Sequence, residues 1–144
     1  MDNFDSVSRH LDSTGKTPSS HDIKVLICGS RGFNDYVLMK VQIMKLLDRF
    51  GTTITIISGG AKGADTLAED VAKQLGISTT ILKPDWDKYG KGAGIMRNDA
   101  MLDMKPNIVL AFWDGNSKGT KHTISEARKR KIEVHLVQYG GVIK

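Results

Sequence analysis

The chain has one cysteine, three prolines and no long apolar run. A lone thiol, Cys28, cannot form an internal disulfide and has no companions for a metal cluster, so a stapled secreted scaffold and a zinc site both drop out and a reducing compartment fits. No apolar stretch approaches the ~18 residues a membrane span needs, and no membrane partner is expected. The first twenty-two residues, MDNFDSVSRHLDSTGKTPSSHD, lack the apolar centre of a signal peptide; a flexible polar tail over 1–22 and a cytoplasmic location are the expectations. Histidines are few. His10 and His21 fall in that tail, and His122 and His135 stand on different elements, so no nucleophilic triad assembles by spacing.

Two phosphate signatures are also missing. A Walker loop needs Gly, four residues and Gly-Lys-Ser/Thr, which neither SGGAKGAD nor GNSKGTKHT supplies. The dinucleotide fingerprint G-x-G-x-x-G belongs after the first strand, where GSRGFN stands instead. GKGAG, Gly90 to Gly94, follows the third strand at a distance and is no substitute. No cofactor and no metal are expected.

What is present begins with charge. A net charge of +5 and a pI near 9.4 favour an anionic partner without naming it. The densest basic run, ARKRK from Ala127 to Lys131, closes a helical pattern, where cations complement the helix dipole and need no ligand.

Hydrophobic period sets the organisation. IKVLIC (Ile23–Cys28), TITII (Thr53–Ile57), STTILK (Ser78–Lys83), NIVLAFW (Asn107–Trp113) and EVHLVQ (Glu133–Gln138) are short apolar runs bounded by turn residues, the pattern of five strands. Between them lie helical patterns over Tyr36–Phe50, with Val37, Val41, Met44 and Leu47 on one face; over Asp65–Leu75, with Leu67, Val71 and Leu75; over Ala93–Met104; and over Thr120–Lys131. Alternation of near-continuous apolar strands with helices implies a single α/β domain over 23–139, a doubly wound and mainly parallel five-stranded sheet, followed by a C-terminal tail over 140–144. Cys28 and the helical methionines Met39, Met44, Met96, Met101 and Met104 are expected as core filler.

In such sheets ligands sit beyond the carboxyl ends of the strands, near the reversal of strand order. Four loops occupy those ends: GSRGFND, SGGAKGAD, PDWDKYGKGAG and DGNSKGT, and most of the fifteen glycines fall in them. Gly59, Gly60 and Gly63 leave space for a phosphate against bare backbone N–H groups, with Asp65 or Thr66 as the cap of the following helix; a tight strand-to-helix turn is the alternative.

CGSRGF, SGGAKGADTLAEDVA, DWDKYGKGAGIMRNDAM and WDGNSKGTKHTISEA, in that order, resemble the YspA-like (cpYpsA-related) branch of the SLOG superfamily, named for the SMF/DprA and LOG proteins. The resemblance covers roughly Ile23 to Gln138 and implies a Rossmann-like fold that binds nucleotides or nucleotide-derived molecules. The superfamily includes cytokinin-activating phosphoribohydrolases, a single-stranded-DNA-binding protein and sensors of bacterial conflict systems, and similar small proteins occur in phages. Carried over residue by residue, it implies ligand contacts from Gly29, Ser30 and Arg31, whose planar guanidinium suits phosphate. It implies further contacts from Gly59, Gly60, Lys62, Gly63 and Asp65, the last as an acceptor for a ribose hydroxyl or as the helix cap. Arg97 and Asn98 resemble the Arg-Asn pair that opens the third helix. Trp86 and Tyr89 offer rings for a base or pack on their own lid, and Asp114, Lys118, Gly119 and Thr120 complete the set.

The resemblance to LOG hydrolases stops at the acids. Gly119 and Thr120 are kept, but Lys121, His122 and Thr123 stand where that motif carries its glutamates. Glu69 and Glu126, neither of them on the enzyme motif, are then the candidate acids for catalysis, beside Arg97, which resembles the catalytic arginine of LOG enzymes. The expectation is a protein that holds a nucleotide-derived small molecule, as a sensor or as a phage-type sequestering protein for an immune signal such as a cyclic nucleotide or an ADP-ribose derivative. A nucleoside monophosphate phosphoribohydrolase and a single-stranded nucleic-acid binder are the alternatives, and a homodimer or larger homo-oligomer is expected.

Overall fold

The computed structural model describes residues 7–10, 23–51 and 53–139. Strand β2 (Ile23–Gly29) is followed by α1 (Tyr36–Phe50), β3 (Ile54–Ser58), α2 (Ala64–Leu75) and β4 (Ser78–Pro84). A short helix α3 (Trp86–Tyr89) and one 3-10 turn (Gly90–Gly92) lead into α4 (Ala93–Asp103), β5 (Ile108–Trp113), α5 (Lys118–Lys129) and β6 (Glu133–Gln138). The strands order as β1 (Val7–His10), β4, β3, β2, β5, β6, and β2 to β6 are all parallel. This is the expected doubly wound, Rossmann-like arrangement. The chain moves outward from β2 through β3 to β4, then returns to the other side of β2 for β5 and β6, so strand order reverses between β2 and β5.

One strand was not expected. Val7–His10 forms β1, antiparallel to β4 in a register from Val7 opposite Pro84 to His10 opposite Ile81. The sheet therefore has six strands, and part of the segment read as a tail is an edge strand. Four residues, VSRH, are too short and polar for a hydrophobic period, and edge pairing uses main-chain groups that composition does not report. The rest of 1–22, and 140–144, lie outside the described residues.

Each face of the sheet carries its own core. Val25, Ile27, Ile56, Ile108, Leu110 and Phe112 meet Met39, Ile43 and Leu46 of α1 and Ala68, Val71 and Ala72 of α2. On the other face Leu26, Ile57, Val109 and Ala111 meet Ala100, Met101 and Leu102 of α4 and Ile124 and Ala127 of α5. Strands buried on both faces read as continuous apolar runs, which made them visible in sequence.

Helix α1 is rotated from expectation. Its buried residues are Met39, Ile43 and Leu46, whereas Val37, Val41 and Met44 are exposed by 69%, 42% and 49%. The helix has two apolar stripes of the same period, and period alone does not choose between them. Contacts at both ends accompany the observed rotation: the Tyr36 hydroxyl donates to Gln74 of α2 (2.5 Å), and Arg49 forms a bidentate pair with Glu133 of β6 (2.7 and 2.9 Å). Met44 is thus no core filler, while Met39, Met101 and Cys28 are buried as expected.

Candidate functional site

The end of β2 organises the region. Ser30 is buried and joins three segments: its N–H donates to Phe112 O (3.0 Å), its carbonyl accepts from Phe33 N (3.1 Å) and Ala64 N (3.4 Å), and its hydroxyl accepts from Asp114 N (3.2 Å). The first, second and fourth loops are thereby joined by the main chain and hydroxyl of a residue expected to touch ligand.

The second loop is held from inside. Ser58 Oγ donates to Glu69 Oε2 (2.6 Å) and accepts from Gly60 N (3.2 Å), and Ala61 N donates to Asp65 Oδ2 (3.1 Å). Gly63, at φ +92°, is the residue before α2; a Cβ on it would lie 2.5 Å from the carbonyl oxygens of both Ser30 and Arg31. A Cβ on Gly59 would lie 2.6 Å from Arg97 Nη1. These two glycines make room for the protein's own groups: a carbonyl pair at Gly63 and a guanidinium at Gly59. The expected cap is also corrected. Neither Asp65 nor Thr66 caps α2; Thr66 Oγ1 donates to Gly63 O (3.0 Å), and Asp65 turns inward to the loop.

Asp65 and Arg97, near enough to act on each other electrostatically, line the cleft. Both are buried, at 6% and 8% exposure. Burial pushes the Asp65 carboxyl up to about 6, against the pull of Arg97 and the N–H groups of Ala61 and Gly59. Burial likewise lowers the pKa of Arg97; Asp65 opposes that shift, and nearby Arg31, a like charge, adds to it. The Arg97 side chain is fixed by its donations to Gly59 O and, from Nε, to Asn98 Oδ1 (2.8 Å). The Cys28 thiol beside them is pushed far up by burial, which leaves it an unreactive neutral group.

The fourth loop presents hydroxyls. Asp114 Oδ1 accepts from Asn116 N (2.8 Å) and Ser117 N (2.9 Å), bonds that hold its carboxyl below the usual range. Ser117 precedes α5 and accepts from Thr120 N (3.3 Å), and its hydroxyl donates to Thr120 Oγ1 (3.0 Å).

These parts enclose a cleft of about 490 Å³ outside the carboxyl ends of β2 and β5, where strand order reverses. Of the residues expected to bind ligand, Gly29, Ser30, Arg31, Asp65, Trp86, Arg97, Asn98, Asp114, Gly119 and Thr120 line it. Gly60 and Lys62 line a neighbouring depression instead, and Gly59 and Gly63 lie buried beneath the loop. Tyr89 and Lys118 line neither; the Tyr89 ring is covered by the Lys88 ammonium at 5.1 Å. Glu69 is taken up by Ser58, and Glu126 reaches Lys129 (3.3 Å), so neither candidate acid lines the cleft. His122 pairs with Asp99 (2.9 Å) between α4 and α5.

Sequence reasoning missed Lys91, Ser117 and Thr123 among the lining groups. Ser117, Thr120 and Thr123 recur every three residues, a spacing that puts them along one face of a helix start and was readable. Lys91 sits within GKGAG, a stretch weighed only as a dinucleotide fingerprint. Trp86 is half exposed, and its ring rests over Gly94, where a Cβ would come within 3.3 Å of Cη2.

Compared with known proteins, residues 23–89 match the family model described as YAcAr: YspA, cpYpsA-related SLOG family. Gene 61 protein of Mycobacterium phage D29 is 36% identical over 116 residues, spanning 77% of this chain and 93% of that protein. Among solved structures, DNA processing protein A (DprA) from Streptococcus pneumoniae superposes with a TM-score of 0.62 at 20% identity, over 85% of this chain and 52% of that one. DprA from Helicobacter pylori, whose structure concerns a single-stranded DNA binding mode, gives 0.58 at 17% identity, over 91% and 79%. The chain thus spans about half the length of the first DprA structure. At these identities the DprA likeness establishes the fold.

Proposed function

The chain belongs to the YspA, cpYpsA-related SLOG family, and from that premise we propose that it binds a nucleotide or nucleotide-derived small molecule in the cleft between the ends of β2 and β5. The observation that carries this is the convergence of Arg31 and Arg97, two guanidiniums close enough for one charge to disfavour the other, beside the hydroxyls of Ser117, Thr120 and Thr123 and the half-exposed Trp86 indole. Like charges held together cost free energy unless an anion lies between or before them. Hydroxyls suit a sugar edge, and an open indole suits a base. A cleft of this volume falls in the range of small-molecule sites, ~300–1,000 Å³.

Retention without turnover fits the carboxylates. Asp65 is engaged with Ala61 and Arg97, Asp114 with Asn116 and Ser117, and Glu69 and Glu126 lie elsewhere. The competing occupant is a single strand of nucleic acid, favoured by the cationic depression beside the cleft and by the subject of the H. pylori DprA structure.

Calorimetry against nucleosides, nucleotides, cyclic dinucleotides and ADP-ribose, with thermal melting in parallel, tests this. At least one small nucleotide is expected to bind and raise Tm, to weaken about 10- to 100-fold on Arg31→Ala as a charge-assisted hydrogen bond is lost, and to be recovered unchanged. No binding across the panel would refute it. A short oligonucleotide bound more tightly than every small molecule, with a log–log salt slope of about −0.7 per phosphate, transfers the site to nucleic acid.

A further inference from the structure

A second depression, of about 420 Å³, adjoins the cleft and shares Arg31, Ala61, Trp86 and Arg97 with it. Its own contributions are Gly60, Lys62, Lys83 and Pro84. The two spaces differ in chemistry. The cleft mixes cations with the carboxylates of Asp65 and Asp114 and a row of hydroxyls; among the described residues no carboxylate lines the depression, where Lys62 and Lys83 join the two shared arginines.

Among the described residues, none of Arg31, Lys62 or Lys83 forms an ion pair. Lys83 is felt electrostatically by Glu69, whose own carboxyl is raised by burial and is occupied by the Ser58 hydroxyl. Lys83 is also positioned: its stem lies along Gly60, where a Cβ would meet Lys83 Cγ at 3.2 Å and Cε at 3.4 Å. An exposed lysine on a bare turn is free to sweep solvent, whereas this one is laid along the loop beside Arg31.

We infer that the depression is a second anion subsite, so that the ligand of the cleft carries more than one phosphate charge: a nucleoside diphosphate or a molecule with a pyrophosphate bridge, with its sugar and base among the hydroxyls and Trp86 and its outer phosphate before Lys62 and Lys83. The inference rests on the nucleotide assignment of the cleft. Arg31 and Arg97, shared by both spaces, stand at the joint where the inner phosphate lies. Lysine suits the outer position because an ammonium acts as a compact charge without a fixed fork, tolerant of a terminal or a bridging phosphate.

Calorimetry with matched adenosine, guanosine, cytidine and uridine mono- and diphosphates, on the wild-type chain and on Lys62→Ala/Lys83→Ala, tests it. The expected result is a diphosphate bound at least tenfold more tightly than its monophosphate, with that advantage lost in the double variant. Both lysines are exposed, so an unchanged melting temperature without ligand is expected and checks that the fold is intact. Equal affinities in the wild-type chain, or an advantage that survives the double substitution, overturn the second subsite and leave the nucleotide cleft standing. Failure of every mono- and diphosphate and of ADP-ribose overturns the second subsite, and failure of the cyclic dinucleotides as well removes the nucleotide cleft too. Short oligonucleotides form the other arm: binding tighter than any diphosphate, and dependent on the same lysines, overturns the small-molecule assignment.

Discussion

Asp65 offers a test in which sign and size both follow from burial. Its carboxyl stands at about 6 in the fold against an ordinary 3.8, with burial as the main cause. An acid whose pKa rises on folding binds more protons in the native state over that interval, so stability falls as pH climbs from about 4 to 6 and stays low above it. At about 1.4 kcal/mol per unit the penalty approaches about 3 kcal/mol, an upper figure for a charge this deeply buried. Asn in place of Asp keeps the shape and an acceptor for Ala61 N while removing the charge. Asp65→Asn is therefore expected to match the wild-type chain near pH 4 and to exceed it by up to about 3 kcal/mol at pH 7.5. Urea unfolding followed by tryptophan fluorescence across that range measures this. Asp114 and Glu133 shift in the opposite direction but are carried by both proteins and cancel in the difference, which reports Asp65 together with its coupling to Glu69. A variant less stable than wild type at pH 7.5 would refute the reasoning, since attraction to Arg97 would then outweigh burial. A carboxylate kept at such a cost also bears on ligand: an ionised Asp65 competes for Arg97, so a pyrophosphate-bridged dinucleotide should bind more tightly at pH 5 than at 7.5, and the dependence should vanish in Asp65→Asn.

Three substitutions probe the loops. Gly63→Ala combines a positive φ with a Cβ against two carbonyl oxygens, and a loss of about 3 kcal/mol or more in urea unfolding is expected; a change within about 1 kcal/mol would contradict the described turn. Gly119→Ala meets only Asn98 Nδ2, at 3.9 Å, so stability should hold or rise by about 0.4–1 kcal/mol, while a methyl added at the cleft wall lowers nucleotide affinity in calorimetry; unchanged affinity would place the ligand away from α5. Trp86→Ala removes a half-exposed ring and should leave the melting temperature nearly fixed while weakening nucleotide binding by about 1–3 kcal/mol, and full retention of affinity would exclude stacking there.

The sheet was legible because strands buried on both faces cannot avoid being apolar. Val25 to Ile27, Ile54 to Ile57 and Ile108 to Phe112 announce themselves, and the helices between them fix parallel pairing. Helix α1 was legible in extent, Tyr36–Phe50, but not in rotation, because Val37/Val41/Met44 and Met39/Ile43/Leu46 have the same spacing and only the packing of the second set against the sheet distinguishes them. Strand β1 left no periodic trace, and its pairing with β4 depends on main-chain groups that every residue has.

The site was legible in outline for a related reason. Loops at the carboxyl ends of parallel strands must meet, which gave the place, while the family resemblance named Arg31, Trp86, Arg97, Asp114 and Thr120, all of which line the cleft. What spacing could not report was which groups the glycines serve. Gly59 and Gly63 look like open ground for a phosphate, yet the space over one is filled by the Arg97 guanidinium and over the other by the carbonyls of Ser30 and Arg31. The bare loop thus acts at one remove: Gly59 lets Arg97 lie against the chain, Gly59 O and Asn98 hold it there, and under the proposed function the charge so placed near Arg31 is the one an anion in the cleft would meet. A glycine-rich turn without that arginine would bend the chain equally well and offer the ligand much less.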